Sequence, residues 1–238
     1  MAEIERLSEC IEWIDLSFVE RRRTPEWAIE VGIRCHLAGM SLRDPSQSLE
    51  KLGVQCSHVS IHEWVHKANL QPLSMVTADQ LAVDEKMIRL HGQQFWLYGA
   101  VDPEKNEILY VSLFPTPTKQ TTRWFLTELH HRYQLDDILF FVDDADYLGA
   151  VLAEDGYRFQ TPAHGNWNAI ERVFCEIERR TSSFANSFSQ VELETAQNWL
   201  EAFAVHHIQD LFSIAPLSDA LVESGYIVGR SEQCENQV

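Results

Sequence analysis

The chain has 238 residues, 45% of them hydrophobic and 11% aromatic, with a formal net charge of −17. That length and apolar supply allow one or two domains with ordinary cores and exclude a chain disordered throughout. No run approaches the roughly eighteen apolar residues of a membrane span, and Met1-Ala2-Glu3-Ile4-Glu5-Arg6 is not a cationic lead into an apolar run, so a cytoplasmic protein with no membrane partner is expected.

The five cysteines, at positions 10, 35, 56, 175 and 234, include no C-x-x-C pair and read as reduced thiols. The charge speaks against nucleic acid, because a DNA-gripping domain is normally basic. Arg clusters nevertheless persist at Arg21-Arg22-Arg23 and Arg179-Arg180, while only five of the nineteen basic residues are Lys. A Lys-poor acidic surface fits a halophilic cytoplasm, where molar salt shortens the screening length to about 3 Å. A merely acidic mesophilic protein is the alternative.

In chain order, residues 1–23 form an N-terminal segment, with Ile11, Trp13, Ile14 and Leu16 able to make a short element. Thr24-Pro25-Glu26 signals a helix start, with Thr24 as N-cap and Pro25 in the first turn; Ile29, Ile33 and Leu37 then recur until Gly39. Asp44-Pro45 opens a second helix with Leu49 and Leu52 on its apolar side and Gly53 as its stop. Ser57 caps a third, with Ile61, Trp64, Val65 and Ala68 as an apolar stripe and His58, His62, Glu63, His66 and Lys67 outward. Residues 24–70 thus match a helix-turn-helix outline, although any three packed helices give the same periodicity. The His58, His62 and His66 row, four residues apart with Cys56 nearby, lacks a carboxylate or second thiol to complete a zinc set and reads as solvated.

Residues 71–79 read as a linker. Leu81 to Leu90, Phe95 to Val101 and Ile108 to Phe114 are three strands of an antiparallel meander. Pro115 and Pro117 end it. Thr121 to Tyr133 follows as a helix with Thr122, Leu126, Leu129 and Tyr133 on one side. Then Ile138 to Val142 is an apolar strand, Asp146 to Glu154 a helix, and Tyr157 to Gln160 a strand, the alternation of a parallel pairing. A helix beginning at Asn166 or Asn168 turns Ile170, Val173, Phe174 and Ile177 to the sheet and leaves Glu171, Cys175 and Glu178 on the neighbouring row. A last helix, Val191 to His206, points Leu193, Ala196, Leu200 and Phe203 inward. Residues 208–238 lose clear patterning.

Three acids stand where propensity least expects them: Asp84 in an apolar β-branched run, Asp143 closing Ile138-Leu139-Phe140-Phe141-Val142, and Glu171 beside an apolar stripe. Burying a carboxylate is costly unless it is paired or coordinates a cation, so three acids converging from two strands and a helix make an oxygen cage suited to Mg²⁺ or Mn²⁺. Asp144 and Asp146 are neighbouring candidates for the second position.

The element order, antiparallel meander, helix, strand, helix, strand, helix, is that of the ribonuclease-H-like α/β fold, a mixed sheet flanked by helices, here over residues 80–207. The wording is equally specific. Val83-Asp84-Glu85, Trp96-Leu97-Tyr98-Gly99-Ala100-Val101-Asp102, His164-Gly165-Asn166 and Asn168-Ala169-Ile170-Glu171-Arg172-Val173-Phe174, followed by Arg179-Arg180-Thr181, resemble DDE transposases of insertion-sequence family six, in particular the branch of halophilic archaea. The likeness runs from about Thr24 to about Val205. Trp167, Cys175 and Glu178 depart from it, standing where relatives carry basic residues, and the tail from Ile208 matches nothing in the family.

The resemblance implies a recombinase that binds the terminal inverted repeats of its own element and cuts and joins DNA. It assigns Asp84, Asp143 and Glu171 as catalytic metal ligands. It further implies Ser57, His58, Ser60, His62 and Lys67 of the third helix, with Arg172, Arg179 and Arg180, as DNA contacts. Two Mg²⁺ or Mn²⁺ ions about 4 Å apart would serve an in-line displacement at phosphorus. Holding two element ends and a target implies at least a homodimer on DNA. A DNA-binding regulator without catalysis and a stand-alone nuclease of the same fold are the competing readings.

Overall fold

The computed structural model describes residues 14, 16–19, 23–72, 78–133, 135, 137–143, 146–161, 168–182, 188 and 190–207. Ile11 and Trp13 of the expected N-terminal element, Arg21 and Arg22, Asp144, the His164-Gly165-Asn166 motif with Trp167, and the tail 208–238 lie outside the described residues, while Ile14 is buried in the core with Leu16 packed against it.

Three helices come first: α1 (Glu26–Leu37), α2 (Arg43–Lys51) and α3 (His58–Lys67). Pro25, rather than Thr24, occupies the N-cap of α1; its ring carries no acceptor, so no side chain caps the helix, and the Pro25 carbonyl accepts from Ala28 N–H at 3.0 Å. Gly39 (φ +101°) and Gly53 (φ +86°) end α1 and α2 in the left-handed region that glycine tolerates. Ser57 caps α3 as expected, accepting from Ser60 N–H at 3.1 Å. Ile29, Ile33, Leu37, Leu49 and Ile61 are fully buried, but Leu52 is exposed, since α2 ends before its last apolar residue can turn inward.

The sheet comprises β1 (Gln80–Leu90), β2 (Gln93–Asp102), β3 (Glu107–Phe114), β4 (Leu139–Phe141) and β5 (Arg158–Gln160) in the order β3-β2-β1-β4-β5. β1, β2 and β3 pair antiparallel, while β4 joins β1 and β5 joins β4 in parallel. This is the ribonuclease-H-like arrangement that the sequence predicts. The β1–β2 turn is two residues, His91 and Gly92, both at positive φ, which matches the twist of a tight hairpin. The β2–β3 turn is closed by Asp102 Oδ1, which accepts from the N–H groups of Glu104 and Lys105.

Four helices flank the sheet: α4 (Lys119–Arg132), α5 (Asp146–Glu154), α6 (Asn168–Ser182) and α7 (193–207). Strand alternation divides their partners. Leu81, Val83, Tyr98, Ala100 and Phe140 share a core with Phe125, Leu129, Leu148 and Leu152 of α4 and α5. Ala82, Leu90, Leu97 and Phe141 face the other way, into a core with Ile170, Phe174, Trp199 and Phe203 of α6 and α7. Ile29, Ile33, Leu37 and Val65 belong to that second core, so the three N-terminal helices pack into the same hydrophobic body as α6 and α7. Each fully buried side chain of this size contributes about 1.5–3 kcal/mol of transfer free energy. Leu193, expected inward, is 39% exposed; α7 buries Ala196, Leu200 and Phe203 instead.

The free edge of β3 is covered by a side chain. Gln197 of α7 donates to the Val111 carbonyl at 3.0 Å and accepts from Leu113 N–H at 3.0 Å, satisfying one acceptor and one donor that an edge strand leaves open.

Candidate active site

Asp84 lies on the α6 side of the sheet by the alternation of β1, as do Ala82 and Leu90. In the parallel register Ala82 pairs with Phe141. Asp143 follows two residues after β4 ends, and Asp84 on the neighbouring strand feels its charge. On its other side Asp84 pairs with Gly99 of β2.

Gly99 explains how α6 reaches this point. A Cβ there would stand 2.8 Å from Ile170 Cδ1 and 3.2 Å from Phe174 Cε1, so the glycine lets these two side chains of α6 rest directly on the strand. Glu171 follows Ile170 directly and is exposed at the rim of the same face. Two residues along β1, Lys86 Nζ meets Glu178 Oε1 of α6 at 2.9 Å and ties strand to helix.

The charges register this convergence. Burial pushes the Asp84 carboxyl up to about 6; the Glu85 backbone N–H opposes the rise, while the negative charges of Asp143 and Glu171 add to it against nearby Lys86. Asp84 is half-buried, and Asp143 and Glu171 are exposed. An all-oxygen, like-charged donor set on one face has the chemistry of a hard divalent cation site, since such an ion would relieve the repulsion that Asp84 experiences. Among the described residues, however, no three His, Cys, Asp or Glu side chains stand as a closed coordination group.

Glu85, the neighbouring acid, was not singled out by the sequence pattern. It points to the opposite face, where Tyr147 of α5 donates its hydroxyl to Glu85 Oε1 and Oε2 is buried without a hydrogen bond. Burial first, and then the charges of Asp84 and Asp143, push this carboxyl up to about 8. The signal that locates it is the two-residue period of β1, which must send one of two adjacent acids into each core.

The residues expected to contact DNA are dispersed. Ser57 Oγ and Ser60 Oγ are 3.0 Å apart within the cap of α3, and Lys67 Nζ is 3.3 Å from Glu63 Oε2. His58 is exposed. His62 is not simply outward: it is half-buried, as is His66, because both line a cleft facing α7. Arg172 is exposed next to Glu171. Arg179 and Arg180 both bond Glu176, at 2.7 and 2.6 Å, which holds the Glu176 carboxyl down at about 2. Arg180 also lies against the Gly39 end of α1 and so helps join α6 to the N-terminal helices.

No protein-family model matches the chain, and no curated protein matches it. Solved structures do. The HTLV-2 integrase catalytic core domain in complex with magnesium, in its trimeric form, aligns at 12% identity and TM-score 0.41, covering 54% of this chain and 84% of that one. The catalytic core domain of BIV integrase aligns at 12% identity and TM-score 0.39, over 62% of this chain and 99% of that one. The simian T-cell lymphotropic virus intasome in complex with PP2A regulatory subunit B56 gamma aligns at 9% identity and TM-score 0.42, over 68% and 63% respectively. At such scores these are likenesses only, and the fold rests on the sheet's own strand order. No helix among the described residues is long and apolar enough to cross a membrane.

Proposed function

We propose that the chain is a DDE-type transposase that recognises the terminal inverted repeats of its own insertion element and cleaves and joins DNA strands. One observation supports this reading: Asp84 lies on the sheet face covered by the helix bearing Glu171, beside the strand that Asp143 follows, and its carboxyl feels the charge of both. The local words that resemble insertion-sequence family six surround each of these three residues.

In this reading Asp84, from the partly desolvated floor, and Asp143 and Glu171, from the exposed rim, hold Mg²⁺ or Mn²⁺. The bound metal would supply Lewis acidity at phosphorus and a water or DNA 3′-hydroxyl of lowered pKa. The chain's own part is orientation: Gly99 and the Lys86–Glu178 pair fix α6 over β1, and Arg172 meets a phosphate beside Glu171. The three N-terminal helices would serve as the helix-turn-helix, with Ser57, His58, Ser60, His62 and Lys67 towards the repeat. Holding two ends together calls for at least a dimer.

The pairing of Arg179 and Arg180 with Glu176 favours a second reading, a DNA-binding regulator with little or no catalysis, because it withdraws positive charge from α6. A strand-transfer assay with terminal-repeat DNA and Mn²⁺ separates them. A transposase joins ends, a regulator only binds, and a nuclease of this fold only nicks. Joining by Asp84→Asn equal to that of the parent chain would refute the transposase reading.

A further inference from the structure

We propose that His62 and His66 form a binding site for a late divalent transition cation, of the Zn²⁺ or Cu²⁺ class, in the cleft between α3 and α7. The two residues are one helical turn apart, and their Nε2 atoms face each other at 3.1 Å with rings tilted 55°. Two imidazole nitrogens on one tetrahedral ion, each about 2.0–2.1 Å from it, stand about 3.3 Å apart, so the pair is already close to ligating separation.

The cleft gives the ion room and the right surroundings. Its volume is about 380 Å³, and His58, Phe188, Thr195 and Trp199 are among its lining residues; the described lining includes one guanidinium, Arg43, and no carboxylate, so the imidazoles are its metal-binding groups. Nitrogen donors select late transition ions, whereas oxygen donors select Mg²⁺ or Mn²⁺, which keeps this site chemically distinct from the Asp84 face.

Protonation also favours binding. Burial lowers both imidazoles, and His66 is pushed down to about 4 by burial and then by the neighbouring charges of His62 and His36; Glu63 opposes the shift at His62. Burial thus favours the neutral form of each ring, the form that ligates a metal. Without metal, one Nε2–H donates to the other Nε2. On binding, the donor ring becomes its Nδ1–H tautomer and both Nε2 lone pairs turn to the ion, with no net proton change at the pair. His36 backs the site, its Nδ1 held 3.0 Å from the Met40 carbonyl. Water completes the coordination, since no third protein ligand converges among the described residues.

The test is calorimetric titration of the metal-free full chain with Zn²⁺ in excess Mg²⁺. The parent chain and Asp84→Asn should each bind one Zn²⁺ alike, while His62→Gln and His66→Gln bind at least tenfold more weakly with unchanged circular dichroism. Cu²⁺ bound to the parent should show nitrogen coupling in its electron paramagnetic resonance spectrum, a readout independent of any variant's folding. Absence of Zn²⁺ binding by the parent, parent-like binding by folded His66→Gln, a loss confined to Asp84→Asn, or a Cu²⁺ spectrum without nitrogen coupling would each overturn the proposal.

Discussion

The two faces of the sheet treat adjacent acids of β1 differently. Asp84 looks towards α6, where Asp143 and Glu171 share its space and water still reaches the rim. Glu85 looks towards α4 and α5, where Tyr147 bonds one of its oxygens and the other is enclosed. Both carboxyls are raised first by burial and both feel Asp143, but Asp84 also feels Glu171 across the α6 face, whereas Glu85 feels Asp84 through the sheet and is enclosed beside the Tyr147 hydroxyl. Desolvation alone therefore does not mark a metal ligand. The mark is a desolvated acid with other acids on its own side of the sheet.

The sharpest way to break this contrast is to neutralise each acid in turn. Asp84→Asn is expected to lower strand cleavage and joining by a hundredfold or more, in line with the roughly 10²–10³ cost of losing one electrostatic contact to a transition state. The same change should raise the stability of the metal-free chain at pH 8 by on the order of 2 kcal/mol, because it removes a strained charge. Glu85→Gln should leave cleavage within severalfold of the parent. Activity assays paired with urea titrations check both, and a large activity loss in Glu85→Gln would erase the distinction between the faces.

Gly99→Val comes next. Its side chain would collide with Ile170 and Phe174, so α6 must move, at a cost of about 1–3 kcal/mol and with displacement of Glu171 from the Asp84 face. Divalent-ion affinity should fall together with stability, as measured by Mn²⁺ titration and thermal melting. Away from the site, Gln197→Leu should cost about 1–3 kcal/mol by leaving the Val111 carbonyl and the Leu113 N–H without partners, yet leave metal binding unchanged.

The dependence of stability on pH tests the same contrast without a change of side chain. Asp84 and Glu85 are raised to about 6 and about 8, so the folded chain holds more protons than the unfolded one between the ordinary carboxylate range and pH 8. Stability of the metal-free protein should accordingly fall as pH rises through that window, with no such penalty below it. Glu85→Gln should flatten the upper part of the profile and Asp84→Asn the lower. Urea midpoints from pH 4.5 to 8 check this, and a midpoint that rises steadily with pH would contradict it.

Much of this was legible in the sequence because the periodicities are strong. The alternation of β1, β2 and β3 and the apolar run of β4 place Asp84 and Asp143 near strand centres and ends, and the stripe of α6 leaves Glu171 at its edge. What could not be read depends on how distant elements meet. Nothing local to Gly99 says that a helix seventy residues on will cross it, and nothing in the row of His58, His62 and His66 says that α7 will cover one side of α3. Leu52 and Leu193 fit helical stripes but lie at helix ends, Leu52 just after the last residue of α2 and Leu193 at the first of α7, and both are exposed. Arg180, chosen from sequence for its charge, spends its side chain against Glu176 and the end of α1.

The most direct test is Mn²⁺ binding to the full chain, measured by calorimetry at pH 7.5, for the parent and for Asp84→Asn, Asp143→Asn and Glu171→Gln. A single site built from three carboxylates predicts that each substitution weakens binding by at least tenfold and that any two combined weaken it little further. If any one of the three variants binds Mn²⁺ as the parent does, that residue is not part of the site and the three acids do not act together.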